Sequence, residues 1–156
     1  MKKVLIALDY DPTAQKVAEK GYALAKSMGA EVTLLHIITN AHYYSTAGVN
    51  PILGFTDYAN VVPLLIENTE NLEVETLKFL ERTKAHLADP TIKTIAKQGS
   101  FADSILETAK ETGADILVMG SHSRRWLENI LMGSVTEKVL NDTEIPLFIV
   151  PLRQKK

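Results

Sequence analysis

The chain has 156 residues, 46% of them hydrophobic and 23% charged, with 17 basic against 19 acidic side chains. One domain of this length buries roughly 70% of the surface its unfolded chain exposes, and a net charge of −2 with so ordinary an apolar fraction argues against disorder. A pI near 6.1 lacks the basic excess of a general nucleic-acid binder, no apolar run approaches the roughly 20 residues that span a bilayer, and the absence of cysteine excludes disulfides and thiolate-bound metals.

Behind its lysine, Lys3 to Leu8 is a continuous apolar run, predicted as a strand buried on both faces. The run stops at Asp9, shorter than the ~7–15 apolar residues of a secretory leader, so a cytoplasmic location is expected. Asp11-Pro12-Thr13 offers an N-cap and a proline at the first helical position. Ala14, Val17, Ala18, Gly21, Ala25 and Met28 then fall on one helical face, and their small size predicts close approach to a sheet. Gly29 is the expected stop, and Glu31 to Ile38 is the second strand.

Residues 39–60 have no clean period and are expected to form a long flexible loop. Tyr43, Tyr44, Phe55 and Tyr58 make it aromatic, for covering a ligand, meeting a partner or packing on the domain. A long helix is predicted from 61–64 to Ala88, with Leu65, Leu72, Leu80 and Leu87 as its buried stripe and Asp89-Pro90 ending it. Ile92 to Lys97 is a third strand interrupted by charges. Ser100 and Asp103 suggest a capping box for a helix turning Phe101, Ile105, Leu106 and Ala109 inward. After Thr112-Gly113-Ala114 come a strong strand to Gly120, a helix from Gly133 to Leu140, a last strand from Leu147 to Val150, and a polar tail over 153–156.

Strands alternating with helices in this way predict a single α/β domain over 1–152: a five-stranded parallel sheet with helices on both faces, a three-layer sandwich. Ligands of such sheets sit beyond the carboxyl ends of the strands, which directs attention to the loops after Leu8, Ile38, Lys97 and Met119. Gly120-Ser121-His122-Ser123-Arg124-Arg125-Trp126 closes one strand, and Gly133-Ser134-Val135-Thr136 opens a helix. Backbone N–H groups, a positive helix end, two hydroxyls and two arginines are the chemistry that phosphate binding uses; a tight turn with an ordinary cap is the plainer alternative. Asp9 ends the first strand, where a carboxylate either accepts from ribose hydroxyls or caps the following helix. Trp126 is an interface anchor or a partly buried hydrophobe. His36, His42, His86 and His122 show no ligand spacing, and no Gly-x-Ser-x-Gly elbow accompanies Ser134.

In its spacing this sequence resembles the universal stress protein family, whose nucleotide-binding members carry Gly-x-x-Gly, nine residues, then Gly-[Ser/Thr]. Gly120, the nine residues Arg124 to Met132, and Gly133-Ser134 match that spacing. Also similar are Leu8-Asp9, Leu34 to Ile37, Ala114 to Ser121, Gly133 to Val139 and Ile145 to Val150. The second motif glycine is Ser123 here, a residue for which a positive φ is strained but whose hydroxyl and N–H are able to donate to phosphate.

The resemblance implies an adenine nucleotide alpha hydrolase-like fold with strand order 3-2-1-4-5. It implies a role in stress response or signalling through binding of ATP or a related adenine nucleotide, with Mg²⁺ accompanying a triphosphate. Asp9 and Ile37 would lie near the adenosine, and Gly120, Ser121, His122, Ser123, Arg124, Gly133, Ser134, Val135 and Thr136 near the phosphates. A homodimer through Leu147 to Val150 is implied too, with no nucleic-acid or membrane partner. The alternative is a nucleotide-independent dimeric interaction protein of the same fold, toward which Ser123 points. No general base for a γ-phosphate is recognisable, so hydrolysis is expected to be slow at most. A receiver domain would need an acidic residue where Ala96-Lys97-Gln98-Gly99 stands, and a dinucleotide fold would need glycines where Asp9-Tyr10-Asp11-Pro12 stands.

Overall fold

Val4, Leu5 and Ile6 are almost wholly buried, as a strand covered on both faces must be, and they form the middle of a five-stranded parallel sheet. The structure is a computed structural model and describes residues 1–9, 14–39, 69–121 and 133–152. Its elements are β1 (Lys3–Ala7), α1 (Ala14–Ser27), β2 (Glu31–Ile38), α2 (Thr69–His86), β3 (Lys93–Gln98), α3 (Phe101–Thr112), β4 (Ile116–Gly120), α4 (Ser134–Asp142) and β5 (Leu147–Val150). The sheet order is β3-β2-β1-β4-β5, as expected. The register sets Ala7 beside Leu35, Ile6 beside Val118 and Met119 beside Ile149. The order reverses between β1 and β4, which opens a crevice at their carboxyl ends.

The period-two alternation of each strand divides the core in two. Val4, Ile6, Val32, Leu34, Val118 and Val150 pack with Val17, Ala18 and Ala25 of α1 and Leu80 of α2. Leu5, Leu35, Ile37, Leu117 and Met119 pack on the other face with Ala102, Ile105 and Ala109 of α3 and Val139 of α4. The small stripe on α1 explains how closely that helix lies. A Cβ on Gly21 would stand 2.8 Å from Ile6 Cδ1 and 3.0 Å from Val118 Cγ1. A glycine inside a helix costs about 1 kcal/mol relative to alanine, and here it lets α1 rest on the sheet.

Some expectations need adjustment, and others fall outside the described residues. Met28 is exposed, because α1 ends at Ser27 and Gly29, with φ of 61°, turns the chain off the helical face. The Ser100–Asp103 capping box does not form. Ser100 makes no side-chain cap; its hydroxyl donates to Asp103 Oδ2 (3.3 Å), and Lys138 Nζ of α4 donates to Asp103 Oδ1 (2.6 Å), drawing that carboxylate away from the helix end. In α2, Leu72 and Leu80 are buried and Leu87 is half-buried, while Leu65 and the predicted start at 61–64 lie outside the described residues. Between the two buried leucines sits Thr76, fully buried, its hydroxyl satisfied by Leu72 O at 2.7 Å. The Asp11-Pro12-Thr13 cap, nearly all of the 39–60 loop and the 153–156 tail also lie outside the described residues.

The two edge strands differ in chemistry. β3 carries Lys93 and Lys97, tied to Glu31 at 3.3 Å and to Glu107 and Glu111 at 3.0 and 3.1 Å. Charges of this kind discourage edge-to-edge pairing. β5 carries none, and its Phe148 is 39% exposed.

Candidate nucleotide-binding cleft

Three strands end together at the reversal point: β1 with Ala7, Leu8 and Asp9, β2 with Leu35 to Ile37, and β4 with Met119 and Gly120. Helix starts meet them from both faces, with Ala14 of α1, Phe101 of α3, and Val135 and Thr136 of α4. Between them lies a cleft of about 560 Å³ including its open mouth. On the α3–α4 side its walls are apolar: Ala7, Ile37 and Met119 from the sheet face Phe101, Ile105 and Val135 from the helices. Among the described residues that line it, only Asp9 and His36 ionise.

Of the residues singled out in the sequence, Asp9, Ile37, Gly120, Val135 and Thr136 line this cleft. Asp9 is half-buried just beyond β1, and Ile37 is buried in β2. Ser121 is buried and serves the sheet: its N–H donates to Val150 O (2.9 Å), and its Oγ accepts from Leu152 N–H (2.9 Å). Gly133 donates its N–H to Ser121 O at 2.7 Å, which sets the two flanks of the glycine motif side by side. His122, Ser123 and Arg124, with Arg125 and Trp126, lie outside the described residues.

Gly133 is the N-cap of α4, with φ −71° and ψ 159° and no side-chain cap. Backbone bonding begins with Glu137 N–H donating to Gly133 O, so the first turn presents the N–H groups of Ser134 to Thr136 toward the motif side. Such an end attracts anions. Ser134 is exposed. Thr136, read in the sequence as a hydroxyl donor to phosphate, is buried and donates to Gly120 O at 2.9 Å, fastening α4 to the end of β4. Gly120 itself is a packing glycine, because a Cβ there would stand 2.5 Å from Leu152 Cδ1 and 3.1 Å from Val17 Cγ2.

Nothing local in the sequence places His36 in the cleft. It is buried, its Nδ1 lies 2.8 Å from Leu8 O, and its ring meets the Phe79 ring of α2 edge-on at 6.5 Å and 82°. A carbonyl only accepts, so Nδ1 carries the proton. Burial pushes its pKa down to about 3, against a small opposing pull from the Leu8 carbonyl, and the ring is neutral. Alternation along β2 gives its face, while its partner depends on where β1 ends. Phe101 and Ile105 were legible only as inward helix positions. Among the described residues, no three His, Asp or Glu converge as a metal site, and no helix is long and apolar enough to cross a membrane.

A chain built this way has close counterparts. The Universal stress protein MJ0577 of Methanocaldococcus jannaschii is 30% identical over 96% of this chain and 94% of its own length. Universal stress protein YxiE of Bacillus subtilis is 30% identical over 95% and 97%. The solved structure of MJ0577 superposes with a TM-score of 0.73 at 28% identity, covering 99% of this chain and 98% of that one. A universal stress protein crystallised in complex with cAMP shares the fold, with a TM-score of 0.61 at 17% identity over 96% and 95%. The family model described as the universal stress protein family matches residues 1–151. With its fold, its sheet order and nearly its whole length in agreement, this chain belongs to the universal stress protein family.

Proposed function

We propose that the chain binds ATP or a related adenine nucleotide in this cleft and acts as a nucleotide-dependent binding module in stress response or signalling. The observation that carries the reading is the meeting, at one strand reversal, of an apolar slot, a carboxylate in its lining and an uncapped helix start. A flat base suits the slot between Ile37 and Met119 on one wall and Phe101 and Val135 on the other. Asp9 accepts from ribose hydroxyls, and the Gly133-Ser134 start of α4 takes phosphate on its N–H groups. The cAMP complex of a protein with this fold supports an adenine ligand. Mg²⁺ would enter on the phosphates of a triphosphate, where it would neutralise charge that this acidic chain does not offset. In this reading His122, Ser123 and Arg124, which lie outside the described residues, complete the phosphate side, while Ser121 holds the end of β4 in place.

Calorimetry with ATP, ADP, AMP and cAMP, with and without Mg²⁺, tests it. Binding is expected, and Gly133→Val should weaken it at least about tenfold, since a branched side chain blocks backbone approach to phosphate. The glycine's φ is ordinary, so a valine there carries no positive-φ penalty, and a melting curve of the variant separates loss of affinity from loss of fold. No heat and no thermal shift at millimolar nucleotide would remove the reading.

We also propose a homodimer through β5, which serves the nucleotide-independent reading equally. The contrast between the lysine-guarded β3 edge and the uncharged β5 edge favours it. Leu117 and Ser121 donate to Pro146 O and Val150 O, so by the two-residue period the N–H groups of Leu147 and Ile149 face outward. Light scattering should report twice the monomer mass. Ile149→Pro deletes an outward donor and should weaken the dimer roughly tenfold or more while the β4–β5 ladder survives. A monomeric wild type at high micromolar concentration would reject this assembly.

A further inference from the structure

The first strand does not end freely at the cleft. Beyond Ala7, the last paired residue of β1, Leu8 still donates its N–H to Leu35 O at 2.8 Å. Its carbonyl is met from the side by His36 Nδ1 at 2.8 Å. The imidazole is itself fixed, buried within β2 and set edge-on against Phe79 of α2. Leu8 is therefore held at both backbone groups by β2, and the next residue is Asp9, in the lining of the cleft. A residue one peptide bond from such a double anchor has little freedom in where its Cα stands.

We propose that His36 is the positioning residue of this cleft: through the Leu8 carbonyl it fixes where the Asp9 carboxylate is presented to the hydroxyls of a bound ribose. The inference rests on the reading that the cleft holds a nucleotide. Chemistry favours a neutral imidazole for the task. A cation at this point would draw the Asp9 carboxylate and compete with ligand hydroxyls, whereas a neutral N–H holds the carbonyl and adds no charge. Burial keeps the ring in that neutral form. Aliphatic residues lack the donor. A lysine would supply one together with the charge. Asparagine is the nearest mimic, because its amide nitrogen occupies about the place of Nδ1.

The test is a double-mutant cycle read by ATP titration, with inorganic tripolyphosphate as a probe that has no ribose. His36→Leu removes the donor, His36→Asn restores it, and Asp9→Ala removes the group being positioned. In the wild-type background His36→Leu should weaken ATP binding about tenfold, and in the Asp9→Ala background less than about twofold. His36→Asn should stay within about threefold of the wild type, and tripolyphosphate affinity should not respond to any His36 change. Amide exchange at Leu8, whose N–H is bonded to Leu35 O, should quicken in His36→Leu and remain slow in His36→Asn, a readout that needs no ligand and that holds if Leu is poorly tolerated in the binding assay.

An equal loss of ATP affinity in both Asp9 backgrounds would overturn the proposal, as would wild-type affinity and exchange in a folded His36→Leu. A wild type that binds no nucleotide would overturn the parent reading and the ribose part of this one together. Altered Leu8 exchange in that case would still establish the anchor.

Discussion

Acidification from about pH 7.5 to about pH 5 should cost the folded protein about 2 kcal/mol through His36 alone, its pKa lying near 3 when folded and at 6.5 in an exposed chain. As pH falls through 6.5 the unfolded chain takes up a proton on this residue, and the folded one does not until pH approaches 3. Stability therefore rises with pH across the window. The contribution is fully present above pH 6.5 and is lost progressively as pH falls toward 3. It reaches a limit of about 5 kcal/mol. Carboxylates do not confuse the upper part of the window. Hydrogen bonding, and nearby lysines or His86, hold Glu19, Asp89, Asp103 and Asp115 below their ordinary values, so what they contribute is retained until pH falls below 4.5 for the glutamate and 3.8 for the aspartates. Urea unfolding at several pH values from about 7.5 to about 5 measures this. The wild type should lose roughly 4–8 °C in melting temperature over the same span. His36→Asn should unfold with nearly constant free energy between those limits; a slope equal to that of the wild type would show that another group carries the proton.

Gly99→Ala should destabilise the fold by about 2–4 kcal/mol, roughly 6–12 °C in melting temperature. Gly99 follows β3 with φ of 151°, a conformation that an L side chain rarely adopts. A Cβ there would also collide with the Ser104 hydroxyl in the first turns of α3. That helix has little room to give. Ser104 is buried, its N–H donates to Ser100 O at 3.0 Å, and its own carbonyl accepts from Thr108 Oγ1 at 2.7 Å. Gly99 meanwhile donates its N–H to Ile38 O at 3.0 Å, so displacement would travel to the end of β2. Collision and backbone strain are separable. Adding Ser104→Ala to Gly99→Ala should recover about half of the loss, leaving the strain, whereas Ser104→Ala alone should cost about 1 kcal/mol or less. A Gly99→Ala protein with the wild-type melting temperature would mean that the turn after β3 relaxes freely.

Local signals in the sequence sufficed for the sheet. β2 and β5 have the bounds read from their apolar runs, β1 and β4 differ from theirs by a residue at one end, and β3 is shifted by one residue at both ends. Buried strands leave continuous apolar runs, and parallel pairing follows from the helices between them. What escaped the sequence was set by contacts far along the chain. Asp103 looked like half of a capping box until Lys138, 35 residues away, took its carboxylate. Gly120 read as part of a phosphate loop, yet Leu152 and Val17 explain its missing side chain. Thr136 keeps its place in the cleft lining, but its proton goes to the end of β4. His36 stood in plain view on β2, where nothing local distinguishes a core histidine from one that holds the neighbouring strand. Its partner is a backbone carbonyl, which has no signature in sequence.

The bond from Gly133 N–H to Ser121 O has an evolutionary consequence. It fastens together the two points between which residues 122–132 are inserted, and Thr136 to Gly120 O is a second stitch beside it. Strand and helix are thereby registered to each other without reference to the eleven residues between Ser121 and Gly133. Lengthening such a connection is inexpensive, since each doubling of a closed loop adds only about 0.6 kcal/mol of closure entropy. Insertions, deletions and exchanges can therefore accumulate between the stitches while the sheet and α4 stay in place. A designer could use the two anchors to graft a new recognition segment there without rebuilding the domain.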